Sequence, residues 1–238
     1  KLLICNDASP DISEKELEEF INKYVDNIQW KLISNIENKG STKTFERLTL
    51  EADGDYFAYC DQDDIWYPEK IQWAVEKMDQ EDNGKPFLYL SSYDYYTEDE
   101  KYIRKFPMQK VPIQIWNVMY YTPGSGFTLV FNEQLREKMI SEHNPGKEMH
   151  DKWMIRGAVC FGRVIYDSRS TAKHIRYVDS VTAEDAENVS LFLHFIKDEL
   201  LSDTAVEAKK YLKYFYEEFE KEMKIDDKKE MKIFIDNS

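Results

Sequence analysis

Short apolar runs alternate, through the first part of the chain, with longer stretches in which apolar residues recur at helical spacing. The runs predict strands and the periodic stretches predict helices: strands at 1–5, 30–33, 56–60 and 87–90, and helices beginning at 14, over 41–51 and over 68–80. The helix beginning at residue 14 follows a capping-box pattern made by Ser13 and Glu16. This alternation predicts crossover units, and therefore an α/β fold with a mainly parallel sheet flanked by helices.

The periodic pattern weakens between residues 91 and 121. Many tyrosines, together with Pro107 and Pro112, favour irregular connections and one edge strand in this region. The elements predicted after it are strands at 127–131 and 162–166 and helices at 134–140 and 149–160.

Beyond about Ala186 the sequence is rich in Glu and Lys and has helical periodicity. We therefore expect an α/β domain over 1–185 and a C-terminal helical extension over 186–238. The apolar positions of the extension form two faces: Leu191, Leu193, Phe195, Ile196 and Leu200 in one, and Leu212, Phe215, Tyr216 and Phe219 in the other. We expect these faces to pack on the α/β domain or against each other; the alternative is contact with a membrane surface or with a second copy in a homodimer.

Composition and charge exclude some classes of function. The 238 residues are 42% hydrophobic, ample for a core, and the net charge of −14 argues against a protein that grips nucleic-acid phosphates. The three cysteines lie far apart in apolar runs, which favours buried thiols over disulfides. With no signal-peptide pattern and no apolar run of membrane-spanning length, we expect a cytoplasmic protein or one bound peripherally at the inner face of the plasma membrane.

Three carboxylates crowd the end of the predicted strand at 56–60. Asp61, Asp63 and Asp64 follow that strand directly, and open α/β sheets bind ligands at the carboxyl ends of their strands. Carboxylates so close together repel one another unless a cation joins them, and oxygen ligands suit Mg²⁺ or Mn²⁺. The alternative is an acidic turn before a helix, since Pro68 favours a first helical turn.

Five short motifs follow one another along the chain: Asn6-Asp7-Ala8-Ser9-Pro10-Asp11, Asn38-Lys39-Gly40, Asp61-Gln62-Asp63-Asp64-Ile65-Trp66, Gly126-Phe127-Thr128 and His150-Asp151-Lys152-Trp153. In this order they resemble glycosyltransferase family 2, and the Asp61 segment is especially similar to that of bacterial rhamnosyltransferase-type members. The resemblance extends to about residue 180. It implies a Rossmann-like fold of the GT-A type, whose usual first strand and helix have no counterpart at the start of this sequence.

The resemblance implies a divalent metal, Mn²⁺ or Mg²⁺, at the acidic segment. Asp63 would bind the metal directly, Asp61 would contact the ribose of the donor or reach the metal through water, and Asp64 is a weaker candidate for the same cluster. A histidine can complete the metal shell in related enzymes, and His174 is displaced by about three residues from its expected place. Either His174 still ligates the metal, Asp179 substitutes for it, or the metal binds weakly.

The resemblance also assigns residues to the nucleotide. Asp7 matches the carboxylate that hydrogen-bonds the base or ribose, and Asn6 stands where the family often has a second Asp. Lys39 would approach the diphosphate. From the residues alone, Asp7 could instead cap the helix that follows it, and Lys39 could be a solvated surface lysine.

Asp151 matches the general base of the family, which takes the proton from the hydroxyl of the acceptor. The alternative is an acid at the start of a helix, favoured there by the helix dipole. His150 would orient Asp151 or touch the acceptor, or else be a neutral structural histidine.

Two tryptophans and one loop are candidates for the sugar subsites. Trp66 and Trp153 could pack their faces on a pyranose ring, with core packing as the alternative for both. Gly126 and Thr128 belong to a loop that resembles the one between donor sugar and acceptor, where glycine permits close approach of the backbone.

The predicted function is an inverting, metal-dependent glycosyltransferase of bacterial surface-polysaccharide synthesis. The donor would be dTDP-rhamnose or a UDP-hexose, and the acceptor a saccharide or a lipid-linked saccharide. Two other classes remain open at this point. A nucleotidyltransferase also combines an α/β sheet with an acidic metal site, and a non-catalytic sugar-binding or scaffold domain would share the fold.

Overall fold

The computed structural model describes residues 1–81, 83–106, 112–119, 122–140, 148–176 and 204–237. Within these ranges, no helix combines the length and the apolar character needed to cross a membrane. The strands are β1 Leu2–Asn6, β2 Trp30–Ser34, β3 Tyr56–Ala58, β4 Asp64–Trp66, β5 Phe87–Thr97, β6 Tyr102–Lys105, β7 Val130–Asn132 and β8 Arg163–Arg176. The helices are α1 Glu14–Tyr24, α2 Ser41–Glu51, α3 Lys70–Glu81, α4 Glu133–Ile140, α5 His150–Phe161, α6 Thr204–Phe219 and α7 Ile225–Asn237, with short 3-10 helices at Ile115–Val118 and Gly126–Thr128.

The strands form two sheets, and the larger one is mixed. β1 and β2 pair in parallel as a small sheet, while the larger sheet has the order β3-β7-β5-β8-β4, with β6 also paired to β5. Only β5 and β8 are parallel neighbours in the larger sheet; its other described pairs are antiparallel. The prediction of a mainly parallel sheet is therefore corrected to a mixed one, because the short strands β3, β4 and β7 return beside the two long ones.

β5 and β8 are both far longer than the apolar runs predict. β5 continues past Leu90 to Thr97, because its polar residues find partners inside the protein: the Ser91 hydroxyl lies 2.6 Å from the Thr171 hydroxyl, and the Ser92 hydroxyl donates to a backbone oxygen at 3.0 Å. A strand can continue through polar residues when their hydrogen bonds are satisfied internally. These two strands therefore run side by side as far as Arg176.

The C-terminal helices α6 and α7 belong to the main hydrophobic core. Leu212, Phe215 and Phe219 of α6 and Met231 of α7 are buried in the same cluster as Trp153. The face formed by Leu212, Phe215, Tyr216 and Phe219 therefore packs on the α/β domain, as expected. The other predicted face, at 191–200, and the proposed domain boundary near 185 lie outside the described residues.

The cysteines differ in their surroundings. All three are free thiols, as expected, but only Cys160 is buried. Cys5 is half-buried and Cys60 is exposed, so the prediction of buried thiols is wrong for Cys60, because the chain leaves the core after the buried Tyr59.

A buried ion pair fixes the beginning of α5. The guanidinium of Arg156 donates to both carboxylate oxygens of Glu148, at 2.5 and 2.7 Å, and also to the backbone oxygen of Val118. The two charged side chains are 2% and 4% exposed, and the guanidinium carbon lies 5.3 Å from the ring centroid of Phe215. Arg156 of α5 therefore connects three parts of the protein: the 3-10 helix that contains Val118, the helix α6 that contains Phe215, and Glu148, which lies two residues before His150.

We predict that Arg156→Met destabilises the protein by about 3–5 kcal/mol, because it removes the guanidinium that pairs with the buried Glu148 carboxylate. Urea denaturation measures the loss. Combining Arg156→Met with Glu148→Leu should restore much of the stability, since both charges are then gone. The control is Lys31→Met, which breaks an exposed pair with Glu51 at 2.7 Å and should cost less than about 1 kcal/mol. Equal losses for the two single changes would contradict the prediction.

Candidate active site

The acidic segment turns from β3 into β4 and meets β8 there. β4 pairs antiparallel with β8, and this register sets Asp64 opposite His174. The Nδ1 atom of His174 lies 2.7 Å from a carboxylate oxygen of Asp64, whose side chain is only 1% exposed. The ring of Phe127 stacks on His174 with centroids 5.3 Å apart. His174, displaced in sequence from its expected place, is thus beside the acidic cluster in space.

Several carboxylates influence one another at this site. Burial, followed by the carboxylates of Asp64, Asp63 and Asp151, raises the pKa of Asp61 to about 7. Burial also raises the pKa of Asp64, against the hydrogen bond with His174. Asp63 is exposed. The structure therefore brings the acidic segment, His174 and Asp151 into one electrostatic neighbourhood.

The donor set fits a divalent cation in its chemistry. Carboxylate oxygens with one imidazole suit Mg²⁺ or Mn²⁺, and a cation would relieve the repulsion among the carboxylates, which adds to burial in raising the pKa of Asp61. Across the parts of the chain that the structure describes, no three acidic, histidine or cysteine side chains already form a ligand cluster. These side chains thus match a divalent cation in their charge and in the type of ligand atom, but they are not already gathered around one point.

Asp151 stands in the first turn of α5 and faces the loop before β7. Burial raises the pKa of its carboxyl group, and backbone N–H groups, among them that of Lys152 at 2.7 Å, act against this rise. A β-carbon placed on Gly126 would lie 3.6 Å from the β-carbon of Asp151 and 3.0 Å from Nε2 of His150. A side chain at position 126 would therefore be tightly packed against the first turn of α5.

The side chain of His150 is buried among aromatic rings. Its ring stacks on Phe45, with centroids 4.2 Å apart, and meets Tyr59 edge-on at 4.8 Å. Neither ring nitrogen has a hydrogen-bond partner among the described residues, and burial lowers its pKa to about 4. His150 is therefore placed as a neutral buried histidine, in agreement with the structural alternative, while its contact with an acceptor or with Asp151 stays a prediction.

Of the other residues predicted to line a sugar subsite, two lie in the core and one lies beside the acidic segment. Trp153 is 3% exposed, donates its indole N–H to the backbone oxygen of Met139 at 3.1 Å and packs edge-on against Phe215. Thr128 is fully buried, and its hydroxyl donates to a backbone oxygen. Both occupy core positions, because α5 places Trp153 and the 3-10 helix Gly126–Thr128 places Thr128 inside the protein. Trp66 is half-buried, two residues beyond Asp64, beside the acidic segment.

The nucleotide candidates lie at the end of β1. The Asp7 carboxylate accepts hydrogen bonds from the side chain of Asn35 at 2.7 Å and from the backbone of Lys39 and Gly40, both at 2.8 Å. Burial alone would raise the pKa of Asp7, but these bonds outweigh it and lower the pKa. The Lys39 ammonium pairs with Glu37 at 2.8 Å. Asp7 thus binds the loop before α2.

Asn6 has a local structural contact at the same strand end. Its side-chain oxygen accepts a hydrogen bond from the backbone of Ser9 at 2.9 Å. This bond closes the turn that follows β1, as short polar side chains commonly do.

Sequence reasoning missed Lys70, which is completely buried next to the site. Its ammonium lies 4.9 Å from the Trp66 ring and 3.4 Å from the Thr171 hydroxyl. Burial lowers its pKa to about 7, against the influence of Cys60 and Asp64. Helical periodicity pointed instead to Ile71, which is 42% exposed. The available signal was the position of Lys70 one helical turn before the buried Ala74.

A curled mixed sheet with helices on its faces and acids at its strand ends defines the GT-A class of nucleotide-sugar-binding fold. The chain belongs to glycosyl transferase family 2: residues 1–136, more than half of its length, match the model of that family. Both the predicted fold class and the predicted family are confirmed. The closer resemblance to rhamnosyltransferases remains a prediction.

Relatives and solved structures agree with this assignment. The chain is 31% identical over 80 residues to the EpsE protein of Bacillus subtilis (strain 168), and 29% identical over 89 residues to WfgD of Escherichia coli, a UDP-Glc:alpha-D-GlcNAc-diphosphoundecaprenol beta-1,3-glucosyltransferase. These matches cover 34% and 37% of this chain, but only 28% and 32% of those proteins. The chain thus spans less than a third of each of these relatives.

Two solved structures share the fold at low sequence identity. Residues 1–349 of S. aureus TarS superpose with a TM-score of 0.62 at 14% identity, covering all of this chain and 61% of that one. GalNAc-T7, solved with UDP, GalNAc and Mn²⁺, gives a TM-score of 0.55 at 14% identity, covering all of this chain and 48% of that one. At this identity the likeness concerns the fold alone.

We predict that His150→Phe removes part of the acid sensitivity of the protein. The pKa of His150 is about 4 in the folded protein, below its ordinary value of 6.5. Between these two pH values the unfolded chain therefore binds a proton at His150 that the folded protein does not bind. Stability should therefore fall as the pH drops from about 6.5 to 4, by up to about 3 kcal/mol. Urea denaturation across this range measures it. The wild type should lose more stability than His150→Phe, and parallel curves would contradict a buried neutral His150.

Proposed function

We propose that the chain is the catalytic domain of an inverting glycosyltransferase that moves a sugar from a nucleoside diphosphate to a hydroxyl group of a saccharide. One observation carries this proposal. The buried carboxyl of Asp151 and the acidic segment of Asp61 share one electrostatic neighbourhood, beside a loop held close by Gly126. A site for transfer needs a base for the acceptor and charge neutralisation for the leaving group, and these two features supply both.

The acidic segment would serve the donor. Asp63 would hold a divalent cation directly, and Asp61 would hold it or contact the ribose. When bound, such a cation neutralises the charge that develops on the leaving diphosphate. His174 would complete the ligand set through its second ring nitrogen, because the hydrogen bond to Asp64 orients the ring, as carboxylates commonly do for metal-binding histidines.

Asp151 would act as the base. Burial raises the pKa of its carboxyl group, so its carboxylate is a better proton acceptor than a solvated aspartate. The backbone N–H groups of Lys152 and Gly126 keep it oriented toward the loop. A single base without a second nucleophile suits a displacement that inverts the anomeric centre.

Donor and acceptor follow from the family and its named relatives. The donor would be a UDP-hexose, as in the name of WfgD, or dTDP-rhamnose, with Asp7 and Asn6 near the base or ribose and Lys39 near the diphosphate. The acceptor would be a saccharide carried on a lipid diphosphate, in surface-polysaccharide assembly at the cytoplasmic face of the membrane. Nucleoside diphosphate release from a panel of donors tests both the activity and the donor, and pyrophosphate release would indicate a nucleotidyltransferase instead.

We expect Asp63→Ala to abolish detectable transfer and to weaken donor binding in Mn²⁺, because the proposed metal loses its direct ligand. Folding stability should hardly change, since Asp63 is exposed. Calorimetry of donor binding, with and without EDTA, measures the first effect and thermal unfolding the second. The matched control is Asp26→Ala, an exposed aspartate far along the chain from the site. Full activity in Asp63→Ala, or activity that EDTA leaves intact, would overturn the metal role.

We expect Asp151→Asn to lower the transfer rate by about two to four orders of magnitude, as loss of a general base does. Donor affinity should survive, because donor binding is assigned to other residues. Stability should not fall, since burial already disfavours the ionised carboxyl. An acid that serves only the helix dipole would instead cost roughly 0.3–1 kcal/mol of stability and almost nothing in rate. Rate, donor affinity and melting temperature on one preparation distinguish the two roles.

A further inference from the structure

A chain of hydrogen bonds runs along the carboxyl ends of β1 and β2. These strands pair in parallel up to Asn6 and Ser34. Asp7 and Asn35 are the next residues, so they lie side by side where the strands end. The side-chain amide of Asn35 donates to Oδ1 of Asp7 at 2.7 Å, and Nη1 of Arg47 on α2 donates to the side-chain oxygen of Asn35 at 2.6 Å. Because ligands bind at this edge of a parallel sheet, the chain leads from a guanidinium to a carboxylate placed for a ligand.

The charge of Arg47 decides which way the amide of Asn35 points. A guanidinium has only N–H donors, so the oxygen of the amide faces Arg47 and its NH₂ group faces Asp7. The reverse orientation would place donors against donors and the amide oxygen against a carboxylate. Nη1 of Arg47 is itself held in place, because it also donates to the backbone oxygen of Ser34 at 2.9 Å. Arg47 therefore makes Asn35 a donor toward Asp7.

Asp7 is fixed by two parts of the chain. Besides the bond from Asn35 at the end of β2, Asp7 accepts two bonds from the loop before α2. The backbone N–H of Lys39 donates to Oδ1 and that of Gly40 to Oδ2, both at 2.8 Å. Asp7 is only half-buried, so a ligand can reach it. A carboxylate fixed in advance loses little side-chain freedom when it accepts a hydrogen bond from a ligand, and the ligand binds more tightly for that reason.

We propose that Asn35 and Arg47 are positioning residues of the donor site: Arg47 orients the amide of Asn35, and Asn35 fixes the carboxylate of Asp7 for the nucleoside of the donor. This inference rests on the proposed function, in which Asp7 binds the base or the ribose. Both residues act through Asp7, without a contact of their own to the donor. Losing either should therefore weaken nucleotide binding and leave the chemical step at Asp151 unchanged.

The same network also joins α2 to β2, through the bond from Arg47 to Ser34, so a purely structural role is the alternative. The two roles differ in the quantity that changes. A structural role lowers the melting temperature, whereas a positioning role lowers nucleotide affinity. Asn35 is the better residue for the test, because Asp7 keeps its two backbone hydrogen bonds when the amide is removed.

UDP and dTDP serve as probes, titrated by calorimetry into the whole chain in Mn²⁺. We expect Asn35→Ala to lower the affinity for the tighter-binding nucleotide about tenfold, as loss of a hydrogen bond to a charged group does. Asn35→Asp keeps the size of the side chain but places a second carboxylate beside Asp7, so it should lower the affinity further. With the sugar donor found among the panel, KM for the donor should rise while kcat is kept, as when binding to ground state and transition state is lost equally.

Arg47 offers a rescue and a matched control. Arg47→Met should weaken binding about as much as Asn35→Ala. Arg47→Lys should restore most of the loss, since the single nitrogen Nη1 makes the contacts with both Ser34 and Asn35, and an ammonium can replace it. The control is Lys31→Met, because Lys31 pairs with Glu51 at 2.7 Å, and Nε of Arg47 meets the same carboxylate at 3.3 Å. This change removes a neighbouring charge without touching Asn35, so nucleotide affinity should not change.

A double-mutant cycle tests whether Asn35 acts through Asp7. In the Asp7→Ala background, Asn35→Ala should cost no further affinity, because the group that it positions is gone. Ligand-observed NMR measures the weaker affinities of these variants. Two losses that add in full would mean independent effects and would overturn the inference. If Arg47→Met fails to fold, this cycle and Asn35→Asp decide the question, since they leave Arg47 in place.

The outcomes separate this inference from the proposed function. If the wild type binds UDP or dTDP, and Asn35→Ala and Arg47→Met bind it equally well, the inference is wrong and the proposed function stands. Affinity that falls only together with the melting temperature, and that Arg47→Lys does not restore, would assign the network a structural role and also overturn the inference. A wild type that binds neither nucleotide and releases no nucleoside diphosphate from any donor would contradict the proposed function itself, and this inference with it.

Discussion

Crowding of carboxylates between β3 and β4 is the constraint on which the rest of this structure depends. Asp61, Asp63 and Asp64 follow a buried strand so closely that ionising all of them is unfavourable, and burial together with the neighbouring carboxylates raises the pKa of Asp61 to about 7. The surrounding protein compensates only in part. His174 binds Asp64, and the side chain of Lys70 is buried nearby. The remaining repulsion among the carboxylates is of the kind that a bound cation relieves.

The long parallel pair of β5 and β8 holds the site together. It carries His174 to β4 and Thr171 to the buried lysine, and it sets Tyr95 beside His174. Side chains on strands of one sheet are held more rigidly than those on loops. The acid, imidazole and aromatic groups therefore keep fixed spacings along one face.

The candidate base, Asp151, lies in the first turn of α5 and close enough to Asp61 to influence its pKa. The start of α5 is fixed by the bidentate pair of Arg156 with Glu148 and by the stacking of His150 on Phe45. The loop that contains Gly126 packs closely against the first turn of α5. His150 lies directly before Asp151 in sequence yet faces the core, because consecutive helical residues point about 100° apart. His150 therefore packs in the core beneath the candidate base.

The sequence alone determined the features that depend on neighbouring residues. Apolar runs and helical spacing predicted α2 at its observed bounds and most other elements within a few residues, and the acids were visible because they directly follow an apolar run. Burial and pairing were decided only by the tertiary structure. Trp153 and Thr128 lie in the core, His174 reaches Asp64 across 110 residues, and the sheet is mixed, because these outcomes depend on which distant strands and helices meet. A local pattern contains the preference of a segment for its own backbone geometry, but not the identity of the surface that covers it.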